Sequence, residues 1–191
     1  MRAFEEADQA HPTKPGGIVF VGSSTIRLWK LSETFPEPAP LNRGFGGSIY
    51  ADILPHFDLL IARHQPRIVV VYSGDNDIAL GLTPEQVEDD FRQLSNRLRE
   101  KLPDSRMICL AIKPSRQRWS MYTTMQDANR RLEAICRDHP HRTFLDLGPE
   151  MLGKDGQPMP ELFQEDGLHL NDRGYLLWSK KLGPLLGPEP K

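Results

Sequence analysis

The sequence predicts an α/β protein built on a doubly wound parallel sheet, and three observations predict it. Short runs of consecutive apolar residues recur along the chain without polar alternation: GIVFV (17–21), RIVVVYS (67–73) and RMICLAI (106–112). Strands read this way when both faces are buried, as in a parallel sheet covered by helices. Longer segments with apolar residues at helical spacing lie between these runs, and strand–helix alternation builds crossover units. The 191 residues show one composition regime throughout, which fits a single domain over 1–191, with 1–16 as an N-terminal helical segment and linker.

The elements follow in order. GIVFV is the first strand, and PLNRGF (40–45) is a weaker second one. The segment 51–64, ADILPHFDLLIARH, has a helical apolar pattern, with Pro55 in its first turn or at a kink. RIVVVYS, with three consecutive valines, is the clearest strand. The segment 83–102 opens with Thr83 as N-cap, Pro84 at the first helical position and Gln86 three residues on, a capping box. Its apolar stripe runs through Val87, Phe91, Leu94 and Leu98. RMICLAI is the next strand, 125–139 the next helix, and RTFLDL (142–147) the last strand. A long Gly- and Pro-rich loop spans 148–167, of a length that is usually functional or mobile. Asn171 caps a final helix through Tyr175, Trp178 and Leu182.

Composition narrows the function. The formal net charge of −2, with Lys and Arg scattered, gives no nucleic-acid footprint. No apolar run approaches transmembrane length, and the charged N-terminus has no signal-peptide core, so a cytoplasmic protein is expected unless an upstream leader has been removed. Cys109 and Cys136 lie in apolar and helical patterns and read as small buried residues rather than a disulfide or metal pair.

In doubly wound sheets ligands bind beyond the carboxyl ends of the strands. That rule selects Ser23 and Ser24 after the first strand, Gly44, Gly46 and Gly47 after the second, and Asn76 between Asp75 and Asp77 after the third. Lys113 to Trp119 follow the fourth strand, and Asp166 and His169 end the long loop. The set holds a hydroxyl, an imidazole, a carboxylate and amide donors, the parts an acyl-transfer site needs. Asp166 stands three residues before His169 and can hold its Nδ1–H, leaving Nε2 to face a serine; Glu165, four residues before, is a rival acid. A serine at a helix start offers its own N–H and the helix dipole to an oxyanion, the Gly46–Gly47 pair offers another N–H, and Asn76 a side-chain amide.

Four blocks occur in order from Val19 to Asn171: VFVGSST, NRGFGGS, YSGDNDI and EDGLHLN. In them the chain resembles the SGNH (GDSL-type) serine hydrolase family, most of all its small single-domain bacterial esterases and its platelet-activating-factor acetylhydrolase-like branch. The resemblance implies a flavodoxin-like three-layer α/β/α fold with five parallel strands in the order 2-1-3-4-5. It implies Ser24 as nucleophile, Asp166 and His169 as the rest of the triad, and an oxyanion hole of the Ser24 N–H, the Gly47 N–H and the Asn76 side chain. It implies a small ester substrate, no cofactor and no metal. With no lid or cap domain in the sequence, short-acyl or acetyl esters, including acetylated carbohydrates, are expected. The family has Asp where this chain has Ser23, which is expected to make a weaker version of the same hydrogen bonds between the first two blocks.

Other readings attach to the same residues. Ser24 and Asn76 suit helix caps, and Asp75 and Asp77 suit structural roles. Asp75, Asp77, Asp166 and His169 together would suit a hard metal ion in a metal-dependent hydrolase, and the same fold also serves non-catalytic binding domains. His11, His56, His64, His139 and His141 read as surface residues. Trp119, Met121 and Tyr122 suit either an acyl or alcohol pocket or the core. Arg27, Arg116 and Arg118 read as solvated and outside the site.

Overall fold

The computed structural model describes residues 1–37 and 39–187; Pro38 and the last four residues of the expected domain lie outside it. Helix α1 (Arg2–Ala10) leads into β1 (Ile18–Gly22), then α2 (Ser24–Arg27), α3 (Leu31–Thr34) and β2 (Leu41–Gly44). Short helices α4 (Tyr50–Ile53) and α5 (Phe57–Leu60) precede β3 (Ile68–Tyr72), which is followed by α6 (Asp75–Ala79) and α7 (Pro84–Lys101). Strand β4 (Arg106–Leu110), α8 (Tyr122–Arg137), β5 (Arg142–Leu145) and α9 (Asp172–Leu182) complete the order. The five strands form one sheet in the order β2-β1-β3-β4-β5, and every pairing is parallel. The strand order is the expected one.

The two faces of the sheet bury alternate residues of each strand, which is why the apolar runs show no alternation. Val19, Val21, Val69, Val71, Met107 and Cys109 face α4, α5, α7 and α8 and meet the stripe Val87, Phe91, Leu94 and Leu98. Ile18, Phe20, Ile68, Val70, Tyr72 and Ile108 face the other way. There they meet Trp29, Phe35, Tyr175 and Trp178, a packed set of aromatic rings in which Trp29 stacks on Tyr175 at 5.2 Å. Both cysteines are buried and free.

Caps fall where the side chains allow. Thr83 accepts from the Gln86 N–H while Gln86 bonds back to the Thr83 N–H, closing the box at the start of α7. Asn171 accepts from the N–H groups of Arg173 and Gly174 at the start of α9. The expected helix over 51–64 is instead four pieces: α4, a 3-10 turn at Leu54–His56, α5, and a 3-10 turn at Ala62–His64. Pro55 has no N–H to continue an α-helical ladder, and the chain leaves the last turn through Gln65 at φ +42°. The helix expected from 125 starts earlier, at Tyr122, because a 3-10 turn over Trp119–Met121 runs straight into it.

His64 is a correction. It is buried, not on the surface: its Nδ1 lies 2.7 Å from Thr13 Oγ1 and its Nε2 3.1 Å from the Leu59 carbonyl, beside the Arg43–Asp8 ion pair that ties α1 to β2. Burial, with Arg43 nearby, lowers its pKa below the ordinary histidine range. The long loop is also ordered, by 3-10 turns at Pro149–Met151 and Pro160–Leu162 and by bridges Leu152–Pro158 and Phe163–Leu170. Among the described residues no helix is long and apolar enough to cross a membrane.

Candidate active site

The site begins where β1 must stop. Gly22 has φ +140°, and a Cβ there would stand 1.8 Å from the Tyr72 carbonyl oxygen, so only glycine fits. Ser23 follows as the N-cap of α2, its N–H donated to that same carbonyl at 3.1 Å. Ser24 is thus the first residue of α2, partly exposed, and its N–H has no acceptor within the helix. Helix α2 is four residues long, so what it offers an anion is this N–H rather than the dipole of a long helix. The Ser23 hydroxyl departs from its expectation: it is buried and, among the described residues, has no hydrogen-bond partner. A side chain this short, turned into the protein, does not bridge the first two blocks.

The imidazole arrives from the other end of the chain. Asp166 Oδ1 accepts from the N–H groups of Leu168 (2.8 Å) and His169 (2.9 Å), closing a tight turn, while Oδ2 lies 2.6 Å from His169 Nδ1. His169 Nε2 lies 2.9 Å from Ser24 Oγ. With Nδ1–H donated to the carboxylate, Nε2 is left to accept from the hydroxyl. Asp166, not its neighbour Glu165, is the carboxylate bonded to the imidazole. Partial burial pushes the Asp166 carboxyl up, but the bonds from the imidazole and the two amides outweigh it and hold its pKa at about 2. The side chains of Asp166 and His169 are 46% and 25% exposed, so the site is an open rim rather than a sealed cavity.

The amide groups gather at the same rim. Gly47 takes φ +78° in an exposed turn with open space around its Cβ position. Asn76 is the second residue of α6, entered through Gly74 at φ +103°. Its Nδ2 donates to the Ser48 carbonyl at 3.0 Å, and its Oδ1 accepts from Arg118 Nη2 at 3.0 Å. A side-chain amide has two N–H bonds, so one remains for a ligand.

Asp75 and Asp77 are engaged in the frame. Asp75 is buried against Lys113 (3.5 Å) and Arg118 (3.2 Å). Asp77 accepts from the N–H groups of Tyr50 (3.1 Å) and Gly74 (3.0 Å), joining the loops after β2 and β3. Burial pushes the Asp77 carboxyl up to about 6 against those amide bonds. Among the described residues no three His, Cys, Asp or Glu side chains converge as a metal-ion site.

Three supporting residues were not legible from the sequence. Asn42 Nδ2 donates to the carbonyls of Ile26 (2.8 Å) and Trp29 (3.1 Å), pinning the end of α2. Tyr175 Oη donates to the Thr25 carbonyl at 2.9 Å. Arg118, expected in solvent, is half-buried against Asp75 and Asn76. Asn42 stands within the second block, but nothing in that string says which carbonyls it reaches. Arg118 is one of two arginines in its loop, and spacing alone does not separate it from the exposed Arg116.

Comparison with known proteins agrees with this architecture. The chain is 30% identical over 180 residues to platelet-activating factor acetylhydrolase IB subunit alpha1 of Bos taurus, an alignment that covers 88% of this chain and 74% of that protein. It superposes on a GDSL-like lipase of Bacteroides thetaiotaomicron with TM-score 0.85 at 18% identity, covering 97% of this chain and 96% of that one. On an acetylxylan esterase of Geobacillus stearothermophilus the TM-score is 0.74 at 14% identity, covering 93% and 96%. These two likenesses are likenesses of fold. The model of the GDSL-like lipase/acylhydrolase family matches residues 26–177, from just after Ser24 into α9. A match over so much of the chain, on a sheet of the expected strand order, makes the protein a member of the GDSL-like lipase/acylhydrolase family and a hydrolase acting on ester bonds.

Proposed function

We propose that the protein is a serine esterase in which Ser24 is the nucleophile, His169 the general base and acid, and Asp166 the group that orients the imidazole. The observation that carries this reading is the unbroken path from Asp166 Oδ2 through His169 to Ser24 Oγ, with steps of 2.6 Å and 2.9 Å. As Ser24 Oγ attacks the ester carbonyl, His169 Nε2 takes its proton, and the Asp166 carboxylate, ionised down to about pH 2, stabilises the imidazolium that forms. The developing oxyanion is held by the Ser24 N–H, the Gly47 N–H and the free N–H of Asn76. Collapse expels the alcohol, which takes the proton back from Nε2. Water, deprotonated by the same nitrogen, then cleaves the acyl-enzyme and releases the acid.

The substrate in this reading is a small, short-acyl or acetyl ester, acetylated carbohydrates included. Two points support it. The side chains of Asp166 and His169 reach solvent at the rim, and the mammalian relative is by name an acetylhydrolase. The test has two arms. A fluorophosphonate labels the wild type at Ser24 and does not label Ser24→Ala, which also loses at least about 10³-fold in kcat/KM; labelling elsewhere, or an active Ser24→Ala, removes the reading. A series of p-nitrophenyl esters of rising chain length, beside acetylated sugars, gives the highest kcat/KM at two to four acyl carbons if the acyl preference is right.

A further inference from the structure

We infer that Arg118 is a positioning residue for this reaction: through Asn76 Oδ1 it fixes which end of the Asn76 amide faces the reacting carbonyl and strengthens Nδ2–H as a donor. The inference rests on the oxyanion role proposed for Asn76. A carboxamide has nearly the same shape when flipped by 180°, so an asparagine serves an oxyanion only if something tells its nitrogen from its oxygen. Here two neighbours of opposite character do so. A guanidinium donates and cannot accept, and Arg118 Nη2 meets Oδ1 at 3.0 Å. A carbonyl accepts and cannot donate, and the Ser48 oxygen meets Nδ2 at 3.0 Å. The flipped amide would set donor against donor and acceptor against acceptor.

The guanidinium is itself held. Its Nη1 lies 3.2 Å from Asp75 Oδ2, so its two terminal nitrogens engage the adjacent residues Asp75 and Asn76 at the start of α6. Asp75 is buried and also meets Lys113 Nζ at 3.5 Å, with that ammonium 5.5 Å from the centre of the Tyr72 ring. A bond from a charged donor to Oδ1 draws electron density out of the amide and makes the remaining N–H more acidic. That effect grows as charge develops on the substrate oxygen, so it acts on the transition state more than on substrate binding.

The test is a double-mutant cycle on Arg118→Met and Asn76→Ala, with p-nitrophenyl acetate as substrate and folding checked by circular dichroism and thermal unfolding. Arg118→Met is expected to lower kcat and kcat/KM together by about tenfold with KM within about twofold, and Asn76→Ala by about 10²-fold, as for the loss of one oxyanion donor. The double variant is expected to be no slower than Asn76→Ala alone. A further tenfold loss in the double variant overturns the inference while the role of Asn76 stands, because Arg118 then acts by another route. Asn76→Ala at the wild-type rate overturns the oxyanion role itself, and the role of Arg118 with it. If Arg118→Met does not fold, Arg118→Lys takes its place in the cycle. It keeps the charge beside Asp75 but lacks the fork, and is expected to lower kcat about threefold to tenfold; wild-type kcat in that variant overturns the inference.

Discussion

Asp166 makes three hydrogen bonds with two oxygens, and in the proposed reaction this concentration of donors sets the form expected of the acid limb. The carboxyl is held at about 2, below the ordinary carboxylate range. A depressed carboxyl stays ionised as pH falls until its own low value is reached. Activity between pH 4 and 8 is therefore expected to follow a single protonation, with log kcat/KM falling on a slope of one toward acid; a slope of two would mean that Asp166 titrates in the same range. Asp166→Asn keeps much of the shape but offers Nδ1 no anion, and kcat/KM at pH 7 is expected to drop by about 10²–10⁴. The same residue marks a limit of sequence reading. Its spacing to His169 was legible, but Glu165 had a comparable claim until the two amide bonds to Asp166 Oδ1 fixed the turn.

Helix α2 makes the same point at the scale of an element. It is a single turn with little stability of its own, so its position must come from what surrounds it. Gly44, at the end of β2, lets the strand pass so close that a Cβ there would lie 2.2 Å from the Arg27 nitrogen. Asn42 and Tyr175 hold three of its carbonyls or those just beyond it. Gly44→Ala is expected to push α2 out of register with the imidazole, lowering kcat at least about 10²-fold and lowering the unfolding midpoint, although Gly44 touches no reacting atom. Assays of activity and of thermal unfolding check both halves of that expectation. The strands and the two long helices were legible because their signals are periodic and local: three consecutive valines, a capping box, a stripe every three or four residues. The short helices were not, because elements of four residues take their shape from contacts distant in sequence. The segment 51–64 has helical periodicity, yet it folds as four short pieces, with Pro55 in the first 3-10 turn.

Across the whole molecule, the loops that carry the site are joined by a buried carboxylate whose ionisation is costly. Asp77 links the loop after β2 to the loop after β3, and burial raises its pKa from an ordinary 3.8 to about 6. A carboxyl raised on folding contributes stability that is complete below pH 4 and is lost as pH rises through 6. The size is about 3 kcal/mol at 1.36 kcal/mol per pKa unit. Unfolding free energy measured by denaturant titration is therefore expected to carry a falling component between pH 4 and 6, and Asp77→Asn is expected to remove that component. The strand order was the one the family resemblance implied, and the rim of strand ends was legible because parallel sheets deliver their strand ends to one side. The bonds that lock the loops to one another were not, since they are made by main-chain groups whose directions no residue type announces.

The last helix is tied to both ends of the proposed relay. Asn171 caps it two residues after His169, and Tyr175 on its second turn grips the carbonyl next to Ser24. One helix thus lies against the segments that carry His169 and Ser24, although 145 positions of chain separate those two residues. Loosening that helix is expected to part the two segments and, because Tyr175 and Trp178 are packed against the sheet, to uncover the core as well.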